Sequence, residues 1–301
     1  MMPKALVICG ATASGKTSLA VSCAKQLNTE IVSADSMLVY KGLDIGTAKP
    51  SNNEKQGVIH HLIDVVQPTD AFSVSDYEKA ALPIVEKLLA EGKTPIICGG
   101  TGFYIQSLLY KSQFGGVGAN AQIREKYERL AEENGVEYVH GLLAKVDKDS
   151  AEKLHANDVK RVIRALEIYE ITGKAKSAQQ DKQIPRFDFL SVSIEYPREV
   201  LYQRINLRVV QMFENGLLDE VQRLLNGGVT TDMQCMQGIG YKEVAEGLQN
   251  GWTEGEMIEL IQKNTRNYAK RQQTFFKRMQ NHVFLSPNQA TAEYVLNLLK
   301  D

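Results

Sequence analysis

The chain has 301 residues, 43% hydrophobic and 24% charged, enough to bury a core in one large domain or two modest ones. Its 35 Lys and Arg against 36 Asp and Glu leave a formal charge of −1, which excludes an acidic tail or overall basicity but not a local basic face. Cys9, Cys23, Cys98 and Cys235 lie far apart with no CxxC pair, which argues against a disulfide framework or a zinc ribbon, and the longest apolar run near the start, Ala5 to Cys9, is too short for a signal core or a membrane span; a soluble cytoplasmic protein is expected.

The first element is KALVICG, a Val/Ile-rich run stopped by a glycine, which predicts a buried strand of a parallel sheet. A helix follows from Lys16 to about Leu27, with Leu19, Ala20, Cys23, Ala24 and Leu27 on one face. A second short strand, Glu30 to Ser33, runs into Ala34-Asp35-Ser36, completing a right-handed βαβ unit. The helix Tyr77 to Glu91 precedes a third strand, Thr94 to Cys98, which ends in Gly99-Gly100-Thr101-Gly102. Parallel strands alternating with helices predict a doubly wound α/β core.

The pattern changes after Lys111. The stretch from Phe114 to Asn120 is glycine-rich and reads as a linker. Helices are predicted at Gln122 to Asn134, Val136 to Lys145, Ser150 to Leu154 and Asp158 to Thr172, the last stopped by Gly173. A strand returns at Phe187 to Ile194, and the remainder reads as helical. The predicted organisation is a core made of residues 1–111 and 187–301, with a helical insertion at 112–186.

Gly10-Ala-Thr-Ala-Ser-Gly-Lys16-Thr17 matches GxxxxGK[ST] and lies between a predicted strand and a predicted helix, where a phosphate loop of the nucleotide-binding type must lie. Glycines at 10 and 15 let successive backbone N–H groups converge on phosphate oxygens. Lys16 adds a point charge and Thr17 offers a hydroxyl to Mg²⁺. A nucleoside-triphosphate hydrolase usually has a second acid at a strand end to hold the metal, but the third strand ends in Gly-Gly-Thr-Gly instead. The acid that follows a strand here is Asp35.

Several blocks occur together in order: GATASGKTSLA, SADSMLVYKGLDIGTAKP at 33–50, HHLIDVV at 60–66, CGGTGFYIQSLL at 98–109, RVIRALEIYEITGK at 161–174, LYQRINLRVVQMFENGLLDEV at 201–221, GIGYKE at 238–243 and KRQ at 270–272. On these blocks the chain resembles the tRNA dimethylallyltransferases of bacterial type. The resemblance implies a P-loop NTPase-like α/β core with a helical insertion that contacts the tRNA anticodon stem-loop. It implies transfer of a dimethylallyl group from dimethylallyl diphosphate to N6 of the adenine 3′ of the anticodon, in tRNAs reading codons that begin with U, with release of diphosphate. Dimethylallyl diphosphate, tRNA and Mg²⁺ are the implied partners and cofactor; a monomer is expected.

Roles follow position by position. Gly10, Thr12, Ala13, Ser14, Gly15, Lys16, Thr17 and Arg208 would hold the diphosphate, with Thr17 on Mg²⁺. Breaking an allylic C–O bond leaves carbocation character on the prenyl group and negative charge on the diphosphate, which the loop, the metal and the fork of Arg208 suit. The exocyclic adenine amine is a weak nucleophile and needs an acceptor for its proton. Asp35 matches the family's catalytic aspartate, and Thr101 matches a position contacting adenine and diphosphate.

For the tRNA side the resemblance points to Asp35, Ser36, Met37, Leu38, Thr101, Arg124, Lys160, Arg161, Arg164, Gly238, Gly240, Tyr241, Lys242, Lys270, Arg271, Gln272 and Lys277. Lys160 stands where the family pattern has Gln. From Lys263 to Arg278 there are six basic residues and no acid. At ~100° per residue they share an arc of roughly 140° on a helix, an electrostatic footprint for a phosphate backbone. The target adenine must leave its stack to meet the prenyl donor.

His60, His61, His140, His155 and His282 have no ligand spacing and are expected to be structural, with His61 near the site. No Cys/His cluster suggests the C-terminal zinc finger of eukaryotic relatives. Two other enzymes and one binding protein would share parts of the pattern. A small-molecule kinase lacks a use for the DIGTAKP block, and an adenylate dimethylallyltransferase has less use for the insertion and the basic helix. A non-enzymatic RNA-binding protein has no use for an intact Gly15, Lys16, Thr17, Asp35 and Arg208.

Overall fold

The computed structural model describes residues 4–111, 118, 120–178, 184–279 and 281–300. Most of the glycine-rich stretch from Phe114 to Asn120 lies outside them. The chain divides into two compact units, Met1–Leu109 with Arg186–Asp301, and Tyr110–Pro185. The second unit starts before 112 because Tyr110 forms a bridge with Pro185 and Lys111 N donates to Ile184 O at 2.9 Å.

The larger unit is built on a six-stranded sheet of order β3-β2-β4-β1-β5-β6, all parallel. Its strands are β1 (Ala5–Cys9), β2 (Ile31–Ser33), β3 (His60–His61), β4 (Ile96–Gly99), β5 (Phe189–Ile194) and β6 (His282–Leu285). Central β1 is fully buried, as its unbroken apolar sequence requires. It pairs Val7 with Ile97 on one side and with Ser191 on the other. α1 (Lys16–Leu27) and α13 (Ala292–Lys300) pack on one face, where Leu19, Cys23 and Val295 meet Leu6, Ile8 and Val192. Each large apolar side chain buried there contributes about 1.5–3 kcal/mol.

The sequence reading missed β3 and β6 and treated the region after Ile194 as helical throughout. β3 is two residues of histidine and β6 is four residues at the opposite edge. Neither is long enough to show a period. α3 (Val74–Ala90) starts earlier than expected, at a capping box in which Ser73 and Asp76 exchange side-chain and backbone hydrogen bonds. α4 (Gly102–Leu109) follows β4 and packs on α3, where Tyr77 and Tyr104 stack with centroids 4.1 Å apart.

Beyond the sheet strands, α9 (Arg198–Glu214), α10 (Leu217–Asn226), α11 (Tyr241–Asn250) and α12 (Glu254–Phe276) complete this unit. A short helix α2 (Asn52–Lys55) lies between β2 and β3.

The smaller unit holds α5 (Ala121–Asn134), α6 (Val136–Val146), α7 (Lys148–Lys153) and α8 (Val159–Thr172) around Val139, Leu143, Val162, Ile163 and Leu166. Its buried carboxylate, Glu167, accepts from Arg124 Nε at 2.9 Å, Arg164 Nη1 at 2.5 Å and Asn120 N at 2.6 Å. Burial alone would raise the Glu167 carboxyl; these donors outweigh it and hold the group below its ordinary value.

Candidate active site

The loops after β1, β2 and β4 leave the same, C-terminal edge of the sheet, where ligand crevices of parallel sheets form. The first carries the phosphate loop. Its backbone curls through positive φ at Gly10 (120°), Ala13 (61°) and Gly15 (90°), the alternation that makes an anion-binding nest. At Gly10 the positive φ favours glycine, and a Cβ there would also stand 3.0 Å from the Ser193 Cβ, a tight contact. α1 then starts with no side-chain cap and no acid in its first turn, which leaves its N-terminal N–H groups to an anion.

Within the loop, Lys16 bends back so that Nζ donates to Ala11 O at 2.5 Å. Burial lowers the Lys16 ammonium from its ordinary value, with the nearby Arg208 acting in the same sense. Ser14 is buried and its Oγ has no hydrogen-bond partner among the described residues, so a polar atom beside the nest is left for a ligand to satisfy. Thr17 is exposed at the helix start.

The second loop places Asp35, whose Oδ1 accepts from Met37 N at 2.9 Å. The third places Thr101, whose Oγ1 accepts from Ser36 N at 3.0 Å while Thr101 N donates to Ala34 O. These bonds lock the β2 and β4 ends together. The approach is close enough that a Cβ on Gly99 would lie 2.1 Å from Ala34 O.

Gln272 of α12 joins the loops. It accepts from Thr12 N at 2.9 Å and donates to Gly100 O at 3.0 Å. On Gly100, a Cβ would fall 2.2 Å from its Nε2. The side chain is 6% exposed. The sequence reading put Gln272 on the tRNA side, whereas it is turned inward as a strut between phosphate loop and β4.

A cavity of about 390 Å³ opens between the first two of these loops, the turn at Gly46 and Thr47, the segment from Gln234 to Ile239, and helices α9 and α12; Thr101 is not among its lining residues. Asp35, Ser36, Thr12, Ala13, Arg208 and Arg271 give it polar groups, and Met37, Ile205, Val209, Met212, Ile239 and Ile261 give it apolar walls. Arg208 points one guanidinium nitrogen at Thr47 O, 3.3 Å away. Burial lowers its ordinary value while Asp35 and Glu54 work the other way. Among the described residues Lys16 and Arg208 form no ion pair with a carboxylate. Arg208 lines the cavity as a desolvated cation, and Lys16, which is not itself a lining residue, lies close enough to feel its charge; two such cations without carboxylate partners favour an anionic ligand. Tyr268 also lines it, its phenol raised to about 12 by burial and by the Asp35 charge.

Not every expected RNA contact faces outward. Tyr241 is fully buried: its hydroxyl donates to Glu220 at 2.6 Å, and its ring lies where a Cβ of Gly46 would be, 2.6 Å away. Gly240 takes φ +101° to start α11. Gly238 lines the cavity, Leu38 does not, and Lys242 is exposed beside Glu246 at 3.7 Å. Lys270, Arg271 and Lys277 are exposed along and just after α12, Lys277 within 3.6 Å of Glu195. In the smaller unit Lys160 and Arg161 are exposed, whereas Arg124 and Arg164 are bound to Glu167. His61 pairs with Glu30 at 2.5 Å and is not part of the cavity lining.

Sequence reasoning missed Thr47, Gln234, Gln237 and Tyr268, which line the cavity, and Arg204, which grips the phosphate loop through Nε to Ala13 O at 2.8 Å. A signal for Arg204 was present: it lies one helical turn before Arg208, on the same face. For Thr47 it was the DIGTAKP block itself.

An all-parallel sheet with a glycine-rich nest at the end of its central strand marks the chain as a P-loop α/β protein. Its family follows from sequence. The IPP transferase family model matches residues 38–279, and the chain is 45% identical over 291 residues to a tRNA dimethylallyltransferase of Acetivibrio thermocellus, covering 96% of this chain and 93% of that one. The chain belongs to the IPP transferase family and is a transferase.

Solved structures agree. A tRNA isopentenylpyrophosphate transferase of Bacillus halodurans superposes with a TM-score of 0.72 at 38% identity, covering 99% of this chain and 94% of the other. A eukaryotic dimethylallyltransferase acting on tRNA gives 0.81 at 31% identity, covering 96% and 74%.

Proposed function

We propose that the chain transfers a dimethylallyl group from dimethylallyl diphosphate to N6 of the adenine 3′ of the anticodon, in tRNAs reading codons that begin with U. The C1–O bond breaks and its electron pair leaves with the diphosphate. The adenine N6 bonds to C1, and its proton passes to Asp35. The observation that carries this reading is the convergence of Asp35, Arg208 and the phosphate-loop residues Thr12 and Ala13 on one cavity that also has an apolar wall of Met37, Ile205, Val209, Met212 and Ile261.

Each part has a use. The nest of residues 10–17, Lys16 and Arg208 receive the charge that develops on the leaving diphosphate. Met37, Val209, Met212 and Ile261 shelter an allylic cation from water. Asp35 orients the amine and takes its proton. Thr101, fixed against Ser36, holds the adenine near the loop. Exposed Lys270, Arg271 and Lys277, with Lys160 and Arg161 of the smaller unit, supply cations for the RNA backbone.

Among the described residues no group of three or more His, Cys, Asp or Glu could hold a metal ion. Mg²⁺ takes few protein ligands when substrate phosphates supply the rest, and the exposed Thr17 hydroxyl at the start of α1 is an oxygen donor of the kind it accepts. Thr17 would hold it, and the ion when bound neutralises diphosphate charge. The four cysteines are free thiols, in keeping with the reducing cytoplasm proposed as the setting; no helix among the described residues is long and apolar enough to cross a membrane.

The test is a transfer assay with labelled dimethylallyl diphosphate, Mg²⁺ and unmodified tRNA, run beside AMP and ATP as acceptors. Label on the tRNA adenine alone is expected. Label on the free nucleotides would make the chain an adenylate prenyltransferase instead.

A further inference from the structure

Phe103 is the second residue of α4, two positions after Thr101, and it is 58% exposed while its neighbours Tyr104 and Ile105 are buried. A single exposed phenylalanine is unremarkable. This one is not isolated. Its ring meets Phe275 of α12 edge to face, with centroids 5.6 Å apart. The α4 backbone also lies close against Phe275: a Cβ on Gly102 would lie 2.4 Å from its ring. Phe276 braces it in turn, at 5.4 Å and a steep interplanar angle. The exposed ring thus stands on a rigid aromatic base.

Its surroundings say what it faces. On α12, Arg271 lies one turn before Phe275 and shares its face, and Arg278 follows in the turn just after the helix ends. Arg271 and Arg278 are exposed, and Arg271 also lines the cavity that holds Asp35. The aromatic pair is therefore continuous with the cavity rim and flanked by cations. Cations that track a phosphate backbone, interleaved with an aromatic face, are the pattern by which single-stranded nucleic acid is held.

We propose that Phe103, seated on Phe275, is a stacking platform for a nucleobase of the tRNA loop next to the extruded adenine. It would replace part of the stacking that the loop loses when the target base leaves, and so favours the extruded state. The proposal rests on the tRNA reading given above and adds a residue that positions the RNA.

The test measures binding of an unmodified tRNA transcript across a series of KCl concentrations, together with steady-state kinetics, for Phe103→Leu, Phe103→Ala and Phe103→Tyr. Leucine keeps apolar contact with Phe275 and removes the ring. Phe103→Leu and Phe103→Ala should each weaken tRNA binding and raise the KM for tRNA about tenfold. Phe103→Tyr should match the unsubstituted chain. The slope of affinity against salt should not change, because no cation is lost, and the KM for dimethylallyl diphosphate should hold. Unchanged tRNA binding in both Phe103→Leu and Phe103→Ala would overturn the platform, as would a loss accompanied by a shallower salt slope. If the unsubstituted chain prenylates no tRNA, the functional reading fails first; if it does and Phe103→Leu behaves like it, only the platform fails.

Discussion

The DIGTAKP block does its work through one buried carboxylate. Glu220 of α10 accepts from the backbone N–H groups of Asp44, Ile45 and Gly46 at 2.9–3.1 Å and from the Tyr241 hydroxyl at 2.6 Å. The turn it holds presents Thr47 O to Arg208. Tyr241→Phe removes one hydrogen bond to a charged acceptor and keeps the ring against Gly46, a loss of about 1.5 kcal/mol. Glu220→Ala strands all the donors at once. The Tyr241 hydroxyl is buried and suffers the full penalty, whereas the half-exposed turn recovers part of its bonding from water, for a total of about 4 kcal/mol.

For a unit of this size, ~2–4 °C per kcal/mol gives a drop in melting temperature of about 3–6 °C for the first variant and about 8–16 °C for the second. Differential scanning calorimetry reads both, and steady-state kinetics should show a raised KM for dimethylallyl diphosphate as Arg208 loses its anchor. A Glu220→Ala protein melting within about 1 °C of the unsubstituted chain would refute the carboxylate as the clamp. So would a Tyr241→Phe loss as large as that of Glu220→Ala.

Two other outcomes are expected. Lys270→Ala combined with Arg271→Ala should weaken tRNA binding and flatten its salt dependence by about two counterions, read from binding isotherms at graded KCl; an unchanged slope would make the α12 stripe a solvated face. In the smaller unit, burial raises the Asp147 carboxyl, but hydrogen bonds from Ser150 and Ser177 outweigh this and bring it from 3.8 to about 2. A depressed folded value contributes stability above the unfolded value and loses it as pH falls, so hydrogen-exchange protection around 147–177 should decline between about pH 4 and 2, and Asp147→Asn should remove that step.

Much of the core was legible because its chemistry is local. β1, the nest and α1 follow one another within a few residues, and each carries its own signal: an apolar run, glycines at fixed offsets, an amphipathic period. β3 and β6 were not legible, because strands of two and four residues at sheet edges hold no period and gain their identity from partners far away in sequence. The same holds at the site. Asp35 and Thr101 end strands, so their place at the sheet edge could be argued from position. Gln272 and Tyr241 could be found only as members of motifs, and the motif gives no direction for the side chain. Gln272 is inward because Thr12, 260 positions earlier, needs an acceptor. Tyr241 is inward because Gly46 leaves room for its ring.

The central claim is that Asp35 takes the proton from the adenine amine in this cavity, and single-turnover transfer from a preformed complex with tRNA tests it most directly. With saturating dimethylallyl diphosphate, Asp35→Ala should slow transfer by about 10²–10⁴-fold while tRNA affinity stays within a few-fold. An Asp35→Ala protein that transfers the prenyl group at the unsubstituted rate would contradict the account.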